Sequence, residues 1–157
     1  MPTGLPVEAV VADVVAALTG SGTAVLVAPP GAGKTTVVPL HLMADPVLGS
    51  GRIVVLEPRR LAARAAARRM ADLLGEPVGR RVGYRTRDER VGGRDVRIEV
   101  LTEGILVRRI QADPTLAGTS VVVLPGWAGQ VSLGQMVFVG AGGAIGAWCT
   151  VERGWDP

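Results

Sequence analysis

The chain has 157 residues, enough for one domain with a sizeable core, and 48% of them are hydrophobic but only 3% aromatic. Small aliphatic side chains must therefore do most of the packing, as in alternating α/β proteins with buried parallel strands. A formal charge of +3 permits contact with phosphate-rich partners without requiring it, and the single cysteine, Cys149, excludes an internal disulfide and a cysteine metal cluster.

The opening residues, MPTGLPVEAV, lack the basic region and apolar stretch of a secretory signal, so a cytoplasmic location is expected. Residues 7–18 (VEAVVADVVAAL) carry the pattern of an amphipathic helix, and 24–28 (AVLVA) is a short apolar run that predicts a buried strand. A glycine-containing loop follows, then a helix predicted from Thr35 to about Ala44. Residues 53–56 (IVVL) predict a second strand. In 61–74, Leu61, Ala65, Met70 and Leu73 fall near helical spacing, and Gly75 is a natural C-terminal stop. A strand at 97–101, a short helix at 103–111 and a strand at 121–124 (VVVL) complete the series. Such alternation implies a mainly parallel sheet with helices on both faces. From Pro114 to Val151 no residue is charged and glycine is dense, a shift that suggests a boundary between about 113 and 125.

Three stretches carry chemistry. Residues 28–36, APPGAGKTT, meet the template G-x-x-x-x-G-K-S/T with Ala28 in place of the first glycine, between a predicted strand and a predicted helix. Gly31 and Gly33 let the backbone turn its amides toward phosphates. Lys34 should reach the β- and γ-phosphates, Thr35 should bind Mg²⁺ through its hydroxyl, and the following helix N-terminus adds free N–H groups. The second predicted strand ends in Glu57-Pro-Arg-Arg-Leu-Ala-Ala-Arg64, where Arg59, Arg60 and Arg64 suit a phosphate backbone, although charge alone favours a solvated helix face. The third ends in Thr102-Glu103-Gly104, where Thr102 is placed to cap the next helix and its hydroxyl to meet a phosphate.

APPGAGKTT, then LEPRRLAARAAARRM, then VGYRTR at 82–87, then TEGILVRRIQADPTL resemble, in order and spacing, the first recombinase-A-like domain of superfamily 2 DEAH-box helicases of the HrpB type. The resemblance covers roughly residues 5–124. It implies a P-loop NTPase fold, a three-layer α/β arrangement on a parallel sheet, here truncated. Pro30, Gly31, Ala32, Gly33, Lys34, Thr35 and Thr36 would bind ATP, with Mg²⁺ on Thr35. Arg59, Arg60, Arg64, Thr102, Glu103 and Gly104 would face a nucleic-acid backbone, expected to be RNA and bound weakly.

Such helicases next carry Asp-Glu-x-His, whose Asp helps hold Mg²⁺ and whose Glu positions the attacking water. Here Val121-Val-Val-Leu124 runs into Pro125-Gly-Trp-Ala-Gly129, and no acidic residue occurs until Glu152. The second helicase domain and its arginines are absent as well, so nucleotide binding without hydrolysis or unwinding is expected. The replacement, 125–157, resembles a segment of LivM-type branched-chain amino-acid ABC-transporter permeases, with their G-x-x-G-Q-x-S-L-G run. Leu133 to Cys149 is apolar except for Gln135 and is marginally long enough to span a bilayer. The sequence thus reads as a helicase ATP-binding domain, 1–124, joined to an unrelated apolar tail, 125–157. A membrane contact through that tail is the lesser expectation.

Overall fold

The computed structural model describes residues 4–46, 51–116, 118–125 and 130–135. A 3-10 turn, Pro6–Val10, leads into α1 (Val11–Ser21), β1 (Thr23–Val27), α2 (Val37–Ala44), β2 (Arg52–Leu56) and α3 (Arg60–Leu74). Then come β3 (Val82–Arg85), β4 (Arg90–Val91), β5 (Ile98–Leu101), α4 (Glu103–Ala112), β6 (Thr119–Pro125) and β7 (Gln130–Gln135).

The strands form one seven-stranded sheet in the order β1-β7-β6-β2-β5-β3-β4. β2 pairs in parallel with β5 and β6, and β3 in parallel with β5. β7 lies antiparallel to both β1 and β6, so β1 runs the same way as β6. Hence β1, β6, β2, β5 and β3 all point in one direction, and the loops that leave their carboxyl ends share one edge of the sheet.

The three layers follow from strand alternation, which sends successive side chains to opposite faces. On one face, Ile53, Val55, Ile98, Val100, Val121 and Val123 pack against α1 through Leu18, α2 through Val38 and Leu42, and α3 through Ala63, Ala67 and Met70. On the other, Val54, Leu101 and Val122 pack with Leu106 of α4 and with Leu116. Glu99 also lies on this second face, buried, and accepts a hydrogen bond of 2.8 Å from Arg109 of α4, with Arg52 at 3.8 Å. A buried carboxylate needs such partners to offset its desolvation. Alanines on the inner side of α3 let it lie close to the sheet, and the helix stops where Gly75 turns to φ +66°.

The alternation read from sequence therefore holds, with differences of detail. The helix expected over 7–18 is a 3-10 turn followed by α1, because Pro6 occupies the first helical positions and only from Val11 does the backbone settle into α geometry. The helix expected from Thr35 starts at Val37, and Thr35 and Thr36 remain in turns. β3, β4 and β7 were not anticipated as strands. Gln130–Gln135, part of the stretch set apart as a tail, forms a strand inside this sheet. The rest of that tail, 126–129 and 136–157, lies outside the described residues, and with it most of the possible membrane run. Among the described residues no helix is long and apolar enough to cross a membrane.

β7 is the one strand that connects β1 to the others among the described residues, with Ser132 opposite Val25 on one side and Leu124 on the other. Ser132→Pro would remove its backbone donor and disturb a central strand, where an unmade buried hydrogen bond costs about 1–3 kcal/mol. Urea denaturation should show a loss of that size, and nucleotide affinity should fall with it, since the phosphate loop leaves from β1.

Candidate functional site

The loop at the carboxyl end of β1 has the geometry of a phosphate cradle. Gly31 stands at φ +78° and Gly33 at φ +94°, a region that L side chains rarely adopt. A Cβ on Gly31 would meet nothing within 4 Å, so the loop is open above it, whereas one on Gly33 would lie 3.0 Å from Leu5 and 3.1 Å from Val37. Below the cradle, the Gly33 carbonyl accepts the Val37 amide at 2.7 Å and the Thr36 amide at 3.2 Å, which starts α2. The amides of Gly31, Gly33, Lys34 and Thr35 donate to no backbone carbonyl among the described residues. Four open donors in a loop that leads straight into a helix N-terminus suit a phosphate.

Lys34 is buried, and its ammonium donates to the Ala28 carbonyl and, at 2.8 Å, to the Pro29 carbonyl. An ammonium has three donors, so one remains for a ligand. The Thr35 hydroxyl makes no hydrogen bond among the described residues. Thr36 is the N-cap of α2 by position but gives no side-chain cap bond. These residues fit a nucleoside triphosphate with Mg²⁺: open amides and a cation for the phosphates, a free hydroxyl for the metal.

A brace that the sequence did not announce holds this loop from below. In the 3-10 turn, buried Val7 donates its amide to the Ala32 carbonyl at 3.4 Å, and Leu5 lies against the Gly33 backbone. The signal was the apolar pair Leu5 and Val7 ahead of the first helix, which its periodicity did not distinguish from helix core. A separate cavity of about 250 Å³ opens between α2 and the end of α3, beside Leu40, Met43 and Leu73, and is lined by none of the candidate ATP- or nucleic-acid-binding residues.

The arginines of the second motif stand on the same sheet edge, after β2. Arg59 is the N-cap of α3 and exposed; its carbonyl accepts the Ala63 amide at 2.9 Å, and its side chain makes no hydrogen bond or ion pair among the described residues. Arg60 pairs with Asp88, and Arg64 with Glu89 at 2.8 Å, both acids lying in the turn between β3 and β4. Glu57 is half-buried on this edge, and burial raises its pKa above the ordinary carboxylate range. The third motif follows β5, also on this edge. Thr102 takes the N-cap position of α4, but its side chain makes no cap hydrogen bond. Instead its carbonyl accepts the Ile105 and Leu106 amides at 2.9 and 3.1 Å. The capping role expected of its hydroxyl is not realised, which leaves that hydroxyl for another partner. Glu103 and Gly104 are exposed at the start of α4.

No protein-family model matches the chain. Sequence comparison finds the ATP-dependent RNA helicase HrpB of Escherichia coli 49% identical over 122 residues, which are 78% of this chain and 15% of that protein. The human ATP-dependent RNA helicase DHX33 is 37% identical over 120 residues, 76% of this chain and 17% of its own length. Among solved structures, a crystal structure of the E. coli DEAH/RHA helicase HrpB superposes with a TM-score of 0.73 at 50% identity, covering 76% of this chain and 15% of that one. The chain thus spans about one sixth of the length of these relatives. Those named here are helicases, and the permease resemblance of 125–157 finds no support among them.

The raised pKa of Glu57 yields a pH prediction. Its folded-state pKa exceeds its unfolded value, so the folded protein is penalised once the carboxyl ionises, and this penalty grows as pH rises through the ordinary carboxylate range and above. Glu57→Gln removes it. Denaturation midpoints of the two proteins should coincide near about pH 4 and separate near about pH 7, with the variant the more stable.

Proposed function

Because the chain is homologous to DEAH-box ATP-dependent RNA helicases such as HrpB, we propose that it binds ATP with Mg²⁺ in the loop after β1 and contacts an RNA backbone along the carboxyl edge of its sheet. The observation that carries the reading is the cradle itself: two glycines at positive φ, four open amides and the buried Lys34 ammonium converging at one helix start.

In this reading Pro30 to Thr36 wrap the triphosphate. The open amides of Gly31, Gly33, Lys34 and Thr35 lie along the loop that leads into α2. Lys34 gives its remaining N–H to the β- and γ-phosphate oxygens, and Thr35 offers its hydroxyl to Mg²⁺. Bound Mg²⁺ would supply charge neutralisation between the phosphates. Arg59, Arg60 and Arg64 meet backbone phosphates through their guanidinium forks, and Thr102, with Glu103 and Gly104 beside it, borders the same path.

Hydrolysis is not part of the proposal. Between Asp113 and Glu152 the sequence holds no carboxylate to position water after β6, where the helicase resemblance calls for one. The activity proposed is therefore nucleotide binding coupled to weak RNA contact.

Titration with a fluorescent ATP analogue and Mg²⁺ tests this against Lys34→Ala. Loss of a charge-assisted contact should weaken binding by about tenfold or more. Equal binding by the two proteins sinks the nucleotide site, and robust ATP hydrolysis by the purified chain overturns the second part.

A further inference from the structure

Two of the arginines assigned to RNA already have partners. Asp88 and Glu89 belong to the turn between β3 and β4, closed by the Thr86 amide donating to the Glu89 carbonyl at 2.8 Å. β3 runs parallel to β5 and ends at Arg85, so this turn rises from the same sheet edge as the start of α3. From there Asp88 holds Arg60 and Glu89 holds Arg64. Tyr84, a buried residue of β3, has its pKa raised by burial and then by the neighbouring Glu89 carboxylate. A carboxylate and a phosphodiester present the same feature to a guanidinium, two anionic oxygens that a planar fork can pair. One arginine cannot give the same donors to both.

We propose that the β3–β4 turn is an internal competitor for nucleic acid: Asp88 and Glu89 occupy Arg60 and Arg64, and an RNA backbone must displace them to bind. The inference rests on the RNA reading above and concerns how that surface is regulated. The lock is graded. The side chains of Arg60 and Asp88 are 62% and 53% exposed, so their pair is screened by solvent and opens readily. Arg64 and Glu89 are 35% and 40% exposed, so this pair is less screened and opens later. Arg59, exposed and without a side-chain partner among the described residues, offers the first contact. Dense phosphate chains can then replace both carboxylates, whereas a single small anion gains one contact and must break one.

Fluorescence anisotropy of a short labelled oligouridylate on the full chain tests the lock. Asp88→Asn with Glu89→Gln should tighten binding about threefold to tenfold, the range expected from freeing two exposed ion pairs. Asp13→Asn with Asp95→Asn makes the same charge change at exposed acids away from the turn and should tighten binding by less than about twofold. In an Arg60→Ala, Arg64→Ala background the turn variant should have no effect, which isolates the coupling. Asp88→Asn alone, which leaves the Arg64–Glu89 pair intact, should show a smaller gain in the same direction, and fluorescent-ATP binding checks that each variant is folded. An equal gain from the distant pair, a gain that persists without the arginines, or RNA binding unchanged by the turn variant overturns the lock and leaves RNA binding standing. No RNA binding by any variant overturns the RNA reading and the lock together.

Discussion

The hydrogen-bonded ladder between β1 and β7 is the constraint on which the site depends. β1 carries the phosphate loop, and β7 is its only strand partner among the described residues. Its packing is one-sided as well. Ala24 and Leu26 face the core with α1 and α2, while Val25 and Val27 are 68% and 66% exposed on the other face. Burial of one face fixes the register of this strand, since a one-residue slip would turn Ala24 and Leu26 out of the core, but only one ladder holds it in the sheet. Its position relative to β6 and β2, and hence the spacing between the phosphate loop and the arginine motif, is transmitted through five residue pairs with β7. The 3-10 turn supplements this tie by fixing the loop directly, through Val7 and Leu5, to the start of the chain.

Both halves of the proposed site hold their cations ready by internal contacts, but with different energetics. Lys34 is buried, and its ammonium is held by two carbonyls of its own loop. Removing a buried charge from its partners is expensive, so a phosphate must add to that set rather than replace it, which the third N–H allows. Arg60 and Arg64 are solvated, and their partners are carboxylates on a separate turn. There, exchange is cheap and the partner can leave with the turn. The first arrangement keeps the cradle shaped when empty, and the second makes the polymer surface adjustable.

What the sequence revealed and what it hid follow from signal strength. The strands at 53–56 and 121–124 are runs of β-branched and apolar residues, buried on both faces at 53–55 and 121–123, and they stand out without any partner being known. β3 reads VGYR and β4 has two residues, too short and too polar for periodicity to register. β7 reads QVSLGQ, where polar residues and a glycine hide a strand whose place is set by pairing on both sides. The turn after β1 was legible because Gly31 and Gly33 have a local backbone reason, a positive φ at each. The arginine motif was legible as charge but not as ion pairs, because Asp88 lies 28 residues beyond Arg60 and only the β3–β4 turn brings them together.

Glu57 is the one carboxylate near this edge whose environment resembles that of a catalytic base, half-buried and raised in pKa. Topology argues against that role. β2 lies three places from β1 in the sheet, behind β6 and β7. At about 4.8 Å between neighbouring strands, the start of the Glu57 side chain is roughly 14 Å from the phosphate strand. A base must come within about 3 Å of the proton it takes, directly or through one water. β6 is one place closer, yet it continues into Leu124 and Pro125, which have no carboxylate to offer. The arrangement therefore suits holding a triphosphate better than cleaving it. The raised pKa of Glu57 is best explained by its burial at a strand end beside the arginine motif, not by a part in the reaction.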